Sequence, residues 1–212
     1  MRSLKAIKAG EEIFNDYGPL PRSDLLRRYG YLTPNYAQYD VVELPQQLLI
    51  DACKAETGLT NQLVLERLDY LEEQDALDDG YDLARKAPDD PTSEISPELN
   101  VFISTLLLSD DNFAEMRRKG KLPKAKEVTP GVAKALVNAI RMRCSEYPTG
   151  LEEDLRIMHD EVFQGRKAMA VQVRYGEKVI LEATLASLLG LARQNQDGNL
   201  QDEGPTKKRR MQ

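Results

Sequence analysis

Apolar residues recur at spacings of three and four along most of the chain, the period of a buried helix face. The first such stripe is Leu25, Leu26 and Tyr29. Ser23 or Asp24 can cap this helix, and Gly30 is a natural stop. Pro45 suits the first turn of a second helix bearing Leu48, Leu49, Ala52 and Cys53, ended by Gly58. Thr60 caps a third, with Leu63, Val64, Leu68 and Leu71 on its stripe. Ser96-Pro97-Glu98 opens a helix with Leu99, Phe102, Ile103, Leu106 and Leu107 on one face, and Asp110 can cap a short helix over 111–119. Thr129-Pro130 begins one whose stripe is Val132, Ala133, Leu136, Val137, Ile140 and Cys144. Thr149 and Glu152 fit a capping box, and Glu152, Glu153 and Asp154 favour a positive helix N-terminus. A long segment from Gly165 to about Arg193 is also predicted helical. Strand signals are few: Ile13-Phe14 as a short buried strand, and residues 39–44 with Asp40 and Glu43 facing out. Residues 32–38, with Pro34 and Asn35, read as a loop. The pattern predicts a mainly α protein, an antiparallel helical bundle with short loops from about Leu44 to Arg193.

Composition narrows the function classes. The chain has 212 residues and a net charge of −6, which argues against nucleic-acid binding through charge alone. Cys53 and Cys144 lack metal-ligand spacing and fall on apolar stripes, so they read as reduced core residues, and no metal site is expected. No apolar run approaches a membrane span and no signal peptide opens the chain, so no membrane partner is expected. The charge is uneven. Glu72 to Asp90 is acidic and reads as a solvated face or loop, or alternatively as a docking surface for a basic substrate. Pro88, Pro91 and Pro97 mark a linker after it. Arg117 to Lys126 is a basic loop around Gly120 and Pro123, with the bland reading of solvated surface. His159, four after Leu155, reads as a partly buried packing residue. The polar tail from 194 to 212 is expected to be disordered. It ends in Lys207-Lys208-Arg209-Arg210, a cluster of nuclear-import type that also suits acidic surfaces.

Candidate chemistry lies near the start. Ala9-Gly10-Glu11-Glu12 reads as a tight turn in which Gly10 takes a positive φ. Asn15-Asp16 ends the short strand, Tyr17 follows at its end, and Gly18 lets the backbone bend. Tyr29, one helix later, can fold back toward Tyr17. Taken alone, these are a turn tyrosine and a core tyrosine. The Gly-Glu-Glu-Ile turn, the Asn-Asp-Tyr-Gly end and the Leu-Leu-x-x-Tyr-Gly helix, in that order, resemble the last segment of a SET domain. The subgroup is that of Rubisco large-subunit methyltransferase and the fungal ribosomal lysine methyltransferases. Two later runs, Tyr147-Pro148-Thr149 through Asp154 and Tyr175-Gly176-Glu177-Lys178 through Leu181, resemble the helical substrate-binding domain of the same subgroup.

The resemblance implies a C-terminal SET segment over residues 1–38, a helical substrate-binding domain over 39–193, and the basic-ended tail over 194–212. It implies S-adenosylmethionine-dependent protein-lysine N-methylation, with a ribosomal protein as the expected basic substrate of a monomeric enzyme. The nucleus, the cytoplasm or both are the expected location. Tyr17 matches the family's catalytic tyrosine near the transferred methyl, Tyr29 matches an aromatic that contacts S-adenosylmethionine, and Asn15 and Asp16 would shape the turn. Such chemistry asks little of residue types. The cofactor carries the reactive methyl, and the protein aligns a neutral amine and excludes water. The family's Gly-rich turn and Asn-His motif are not found here. The chain therefore reads as the C-terminal portion of such an enzyme, lacking most of the SET core and inactive alone. A truncated gene model, an internal start and a stand-alone remnant would each produce it. The alternatives are a non-enzymatic substrate-binding or adaptor module, and an unrelated helical scaffold with a coincidental motif.

Overall fold

A computed structural model describes residues 3, 5–15, 17–85, 95–160 and 164–200, the last ten as backbone only. Asp16, the linker prolines Pro88 and Pro91, and the cluster Lys207 to Arg210 lie outside the described residues. The elements in order are α1 (Arg22–Tyr29), a 3-10 turn (Pro34–Tyr39), β1 (Val41–Pro45), α2 (Gln46–Thr57), α3 (Asn61–Glu73), β2 (Gly80–Ala84), α4 (Pro97–Leu107), α5 (Asp110–Lys119), α6 (Pro130–Ser145), α7 (Leu151–His159) and α8 (Arg166–Leu200). The mainly α expectation holds. No helix among the described residues is long and apolar enough to cross a membrane.

Four helices begin where a hydroxyl accepts an orphan backbone N–H. Thr60 accepts from Leu63, Ser96 from Leu99, Ser109 from Asn112 and Thr129 from Val132, at 3.1–3.4 Å. Gly30 and Gly58 end α1 and α2 in the left-handed region, at φ 71° and 70°. Three expected caps differ. Pro21, not Ser23 or Asp24, precedes α1. Ser109 takes the cap of α5, which leaves Asp110 to bind Arg67 at 3.0 Å. Gly150 precedes α7 with no side-chain cap, because the Thr149 hydroxyl donates to Asp154 instead.

The core forms where α6 packs against α2, α4 and α8. Leu49, Leu71, Leu99, Phe102, Ile103, Leu106, Leu136, Ile140 and Leu181 are fully buried there. Cys53 lies among them, and burial followed by the Glu56 charge pushes its thiol up to about 12 against the opposing pull of Arg67. A thiol held neutral in this way is inert, as a packing residue should be. Arg67 is buried beside it, donating to the Leu106 carbonyl and lying 5.4 Å above the Phe113 ring. His159 is exposed rather than packed, at the last residue of α7.

The acidic interval holds a strand that its charge conceals. β2 pairs antiparallel with β1, matching Val42 with Leu83 and Leu44 with Tyr81 on the buried face. Asp82 alternates outward, directly opposite Glu43. Asp40 differs from expectation: it is buried next to β1 instead of facing out. The strand expected at Ile13-Phe14 does not form, and both side chains are exposed. α8 continues past Arg193 to Leu200, into the stretch expected to be disordered.

The Glu43–Asp82 pair has a measurable consequence. Partial burial of Asp82, then the Glu43 and Asp24 carboxylates, raise its pKa above the usual value. A carboxyl raised in the folded state favours the fold when protonated and opposes it once ionised. Asp82→Asn should therefore stabilise the protein at neutral pH by ~0.5–1 kcal/mol. The gain, read from urea midpoints, should fade as pH falls through the raised folded pKa and be gone below the normal Asp value. A gain that persists unchanged at acid pH would exclude like-charge repulsion as its source.

Candidate functional site

Residues 5–15 and 17–40 form an arm whose turns follow the sequence, although the strand expected within it does not form. Gly10 takes φ 86° and Gly18 takes φ 76°, both left-handed turns. The first turn is closed by Glu11, whose backbone N–H donates to the Lys8 carbonyl at 3.1 Å, while Lys8 N–H donates to the Glu11 carboxylate at 3.0 Å. α1 sets Leu25 into the core and leaves Tyr29 at its outer end. Leu25 and Tyr29 are four apart and so share a face, and that face runs from buried to open.

The structure brings Tyr17 and Tyr29 together. Their rings stack with centroids 4.2 Å apart and planes 19° apart. Each stays accessible, at 39% and 44% exposure. Tyr31 and Tyr39 are also exposed, and Tyr36 meets Tyr39 edge to face at 5.8 Å. Ile13 and Phe14, at 77% and 78% exposure, add apolar surface to the same arm. A stacked aromatic pair contributes ~0.5–1.5 kcal/mol beyond its buried area. Asn15, two residues before Tyr17 in the chain, has no regular structure.

The arm is fixed to the helices by an ion pair that sequence reasoning missed. Arg22, in the first turn of α1, donates from Nε to both Asp40 oxygens at 3.0 Å, and from a terminal nitrogen to Oδ2 at 2.5 Å. Its backbone N–H also donates to Asp40 Oδ1 at 3.2 Å. Both side chains are nearly buried, at 10% and 6% exposure, so the pair is a desolvated clamp rather than a surface bridge. Gly176 of α8 roofs it. A Cβ built there would lie 2.5 Å from Asp40 Oδ2 and 2.6 Å from the Arg22 guanidinium. A glycine inside a helical stripe is the one sequence signal of such close packing.

A second polar cluster joins α7 to α8. Asp154 is fully buried and accepts from Thr149 Oγ1 at 2.6 Å, Lys178 Nζ at 2.5 Å, and Arg174 at 2.5 and 3.1 Å. Burial pushes its carboxyl up, but hydrogen bonds from Arg174, Lys178 and Thr149 outweigh that, and its pKa is lowered. Lys178 donates also to the Thr149 carbonyl at 2.6 Å and lies 5.3 Å from the Tyr147 ring centre. Tyr147 in turn donates to Glu177 at 2.7 Å. A depression of about 440 Å³ lies next to this cluster, lined by Gly150, Leu151, Glu152, Glu153, Arg156 and Glu182. Neither candidate tyrosine belongs to it.

These features define a helical domain carrying an aromatic arm, and known proteins place it. The model of the Rubisco LSMT substrate-binding family matches residues 59–181, and the chain belongs to that family. It is 30% identical to ribosomal lysine N-methyltransferase 4 of Saccharomyces cerevisiae over 119 residues, 51% of this chain and 23% of the yeast protein. It is 26% identical to N-lysine methyltransferase SETD6 of Homo sapiens over 207 residues, 87% of this chain and 42% of the human protein. The Salmo salar counterpart is 25% identical over 209 residues, covering 87% of this chain and 46% of that protein. The chain thus spans less than half the length of these relatives.

Proposed function

We propose that this chain is the C-terminal portion of an S-adenosylmethionine-dependent protein-lysine N-methyltransferase. Residues 1–38 would supply the end of the catalytic domain, and 39–193 the domain that holds the protein substrate. The observation that carries this reading is the stacked, accessible pair Tyr17–Tyr29 at the start of a chain whose relatives are named as lysine methyltransferases. Tyr17 would act catalytically, its hydroxyl helping to line an apolar channel in which a lysine amine loses its proton. Tyr29 would offer its ring to the cofactor. Two stacked rings and their hydroxyls suit one wall of such a site, so the rest would come from residues beyond these. The bound cofactor supplies the methyl group. The yeast relative favours a ribosomal protein as substrate, in the nucleus or the cytoplasm.

The test is calorimetry with S-adenosylmethionine on this chain beside a Tyr29→Ala variant, with helicity confirmed by circular dichroism. The expected result is no binding by a folded chain, because one aromatic wall is too little to hold the cofactor. Binding that weakens in the variant would show a self-sufficient cofactor site, keeping the role of Tyr29 but overturning the partial-enzyme reading. Binding unchanged in the variant would remove Tyr29 from the site.

A further inference from the structure

We propose that residues 117–126 form a preorganised docking surface for an acidic, extended protein segment. Arg117, Arg118, Lys119, Lys121, Lys124 and Lys126 are all exposed, on a chain whose net charge is −6. Arg117 is shared with Glu73 at 3.7 Å and Lys119 with Glu115 at 2.6 Å. Arg118, Lys121, Lys124 and Lys126 make no ion pair among the described residues. A run of this kind on a floppy loop would be ordinary solvated surface.

This loop is instead anchored from below by buried polar groups. Asn100, only 3% exposed within α4, donates to the carbonyls of both Ala125 and Glu127, at 3.2 and 3.1 Å. The Ser104 hydroxyl donates to its side-chain oxygen at 3.2 Å, fixing the amide's orientation. Tyr70, 2% exposed in α3, donates its hydroxyl to the Lys121 carbonyl at 2.8 Å. Leu122 and Val128 pack against the core on either side. Polar anchors inside an apolar core are justified where the backbone they hold must be fixed. Here every exposed side chain on the held backbone from 117 to 126, Gly120 aside, is a cation.

The chemistry favours carboxylates over nucleic acid. Phe113 and Tyr70, the nearest rings, are buried, so no base could stack on them. Glu73, Glu115 and Glu127 interrupt the positive field along its edges, which disfavours a continuous phosphate backbone but admits a short acidic segment. A basic methylation substrate would be repelled here, so the surface would serve a second contact.

The test is fluorescence anisotropy of labelled decaglutamate against the intact chain, with a short DNA duplex in parallel, at about 50 and 200 mM salt. The expected result is peptide binding that weakens with salt and falls about tenfold in the combined Lys121→Gln, Lys124→Gln, Lys126→Gln variant. A control that neutralises Lys5, Lys8 and Lys167 removes the same charge elsewhere and should bind as the parent does. Asn100→Ala, with charge unchanged, should also weaken binding by releasing the loop. No peptide binding, equal losses in both triple variants, an unaffected Asn100 variant, or preference for the duplex would each overturn the proposal.

Discussion

Asp154→Asn should lower the melting temperature by on the order of 10 °C at neutral pH, the largest single effect expected on this chain. The carboxylate is fully buried, and its partners Lys178 and Arg174 are 6% and 24% exposed. Removing its charge leaves Lys178 without a counter-ion in a place water barely reaches, which costs ~3–5 kcal/mol for buried pairs. The pH dependence is a second reading of the same group. Its pKa is lowered in the fold, so its contribution is complete above the unfolded value and is lost as pH falls through the folded one. The deficit of the Asn variant should thus be constant near neutrality and shrink in strong acid, where the parent loses the charge too. Replacing Asp154 together with its buried partner, as Asp154→Leu with Lys178→Met, should restore part of the loss, since the apolar pair needs no counter-ion and Arg174, 24% exposed, can turn to solvent. A neutral-pH loss below about 1 kcal/mol for Asp154→Asn would mean that water reaches the site and that the cluster is not desolvated.

That cluster also shows what could be read from the sequence and what could not. The runs at 147–154 and 175–181 were recognisable separately, and helix capping was the local physics available for the first. The structure shows instead that they are two halves of one contact: Thr149 and Asp154 face Arg174 and Lys178, and Tyr147 faces Glu177. A capping box is a local pattern of i and i+3, whereas this contact joins residues 20 to 30 apart and leaves no periodic trace. The helices were legible because their stripes repeat, and all five hydrophobic positions named for α4 are buried or packed on the core. β2 was hidden because Asp78, Asp79 and Asp82 mask the alternation of Tyr81 and Leu83, which only the partner strand makes meaningful. Ile13-Phe14 shows the converse. Its residues suit a strand, but a strand needs a neighbour, and the described residues offer it none.

The candidate site divides along the same line. That Tyr29 would return to Tyr17 was readable from a turn, two glycines and one short helix, all local. What holds both against the bundle was not, because the charge of Asp40 argued for solvent although it shares the parity of the inward Val42 and Leu44. Its burial depends on Arg22, eighteen residues earlier, and on Gly176, far along α8. The segment 174–178 therefore serves two contacts at once. Arg174 and Lys178 bind α7, and Gly176 between them receives the arm.

Gly176→Ala should release that arm while leaving the helices folded. In an ordinary helix interior the change gains up to ~1 kcal/mol from the glycine's lost freedom. Here the new methyl would stand 2.5 Å from Asp40 Oδ2 and 2.6 Å from the Arg22 guanidinium, inside the contact distance of both. Asp40 is short and held beside β1, so the cheapest escape is for Arg22 to swing toward solvent, giving up a buried bidentate bond. Overpacking of this kind costs ~1–3 kcal/mol and falls on the arm more than on the core. The readout is fluorine NMR of 3-fluorotyrosine-labelled protein, which carries nine tyrosines. The Tyr17 and Tyr29 resonances, assigned by single Phe substitutions, should lose the shift their stacked neighbours impose, while those of buried Tyr70 and Tyr81 stay in place. Removing the clamp first reverses the sign: in an Arg22→Ala, Asp40→Ala background, Gly176→Ala meets nothing and should stabilise α8. If the substitution is instead harmless in the parent, or equally harmful in both backgrounds, Gly176 does not act through the ion pair. The arm that carries Tyr17 and Tyr29 would then be held by the burial of Leu25 instead.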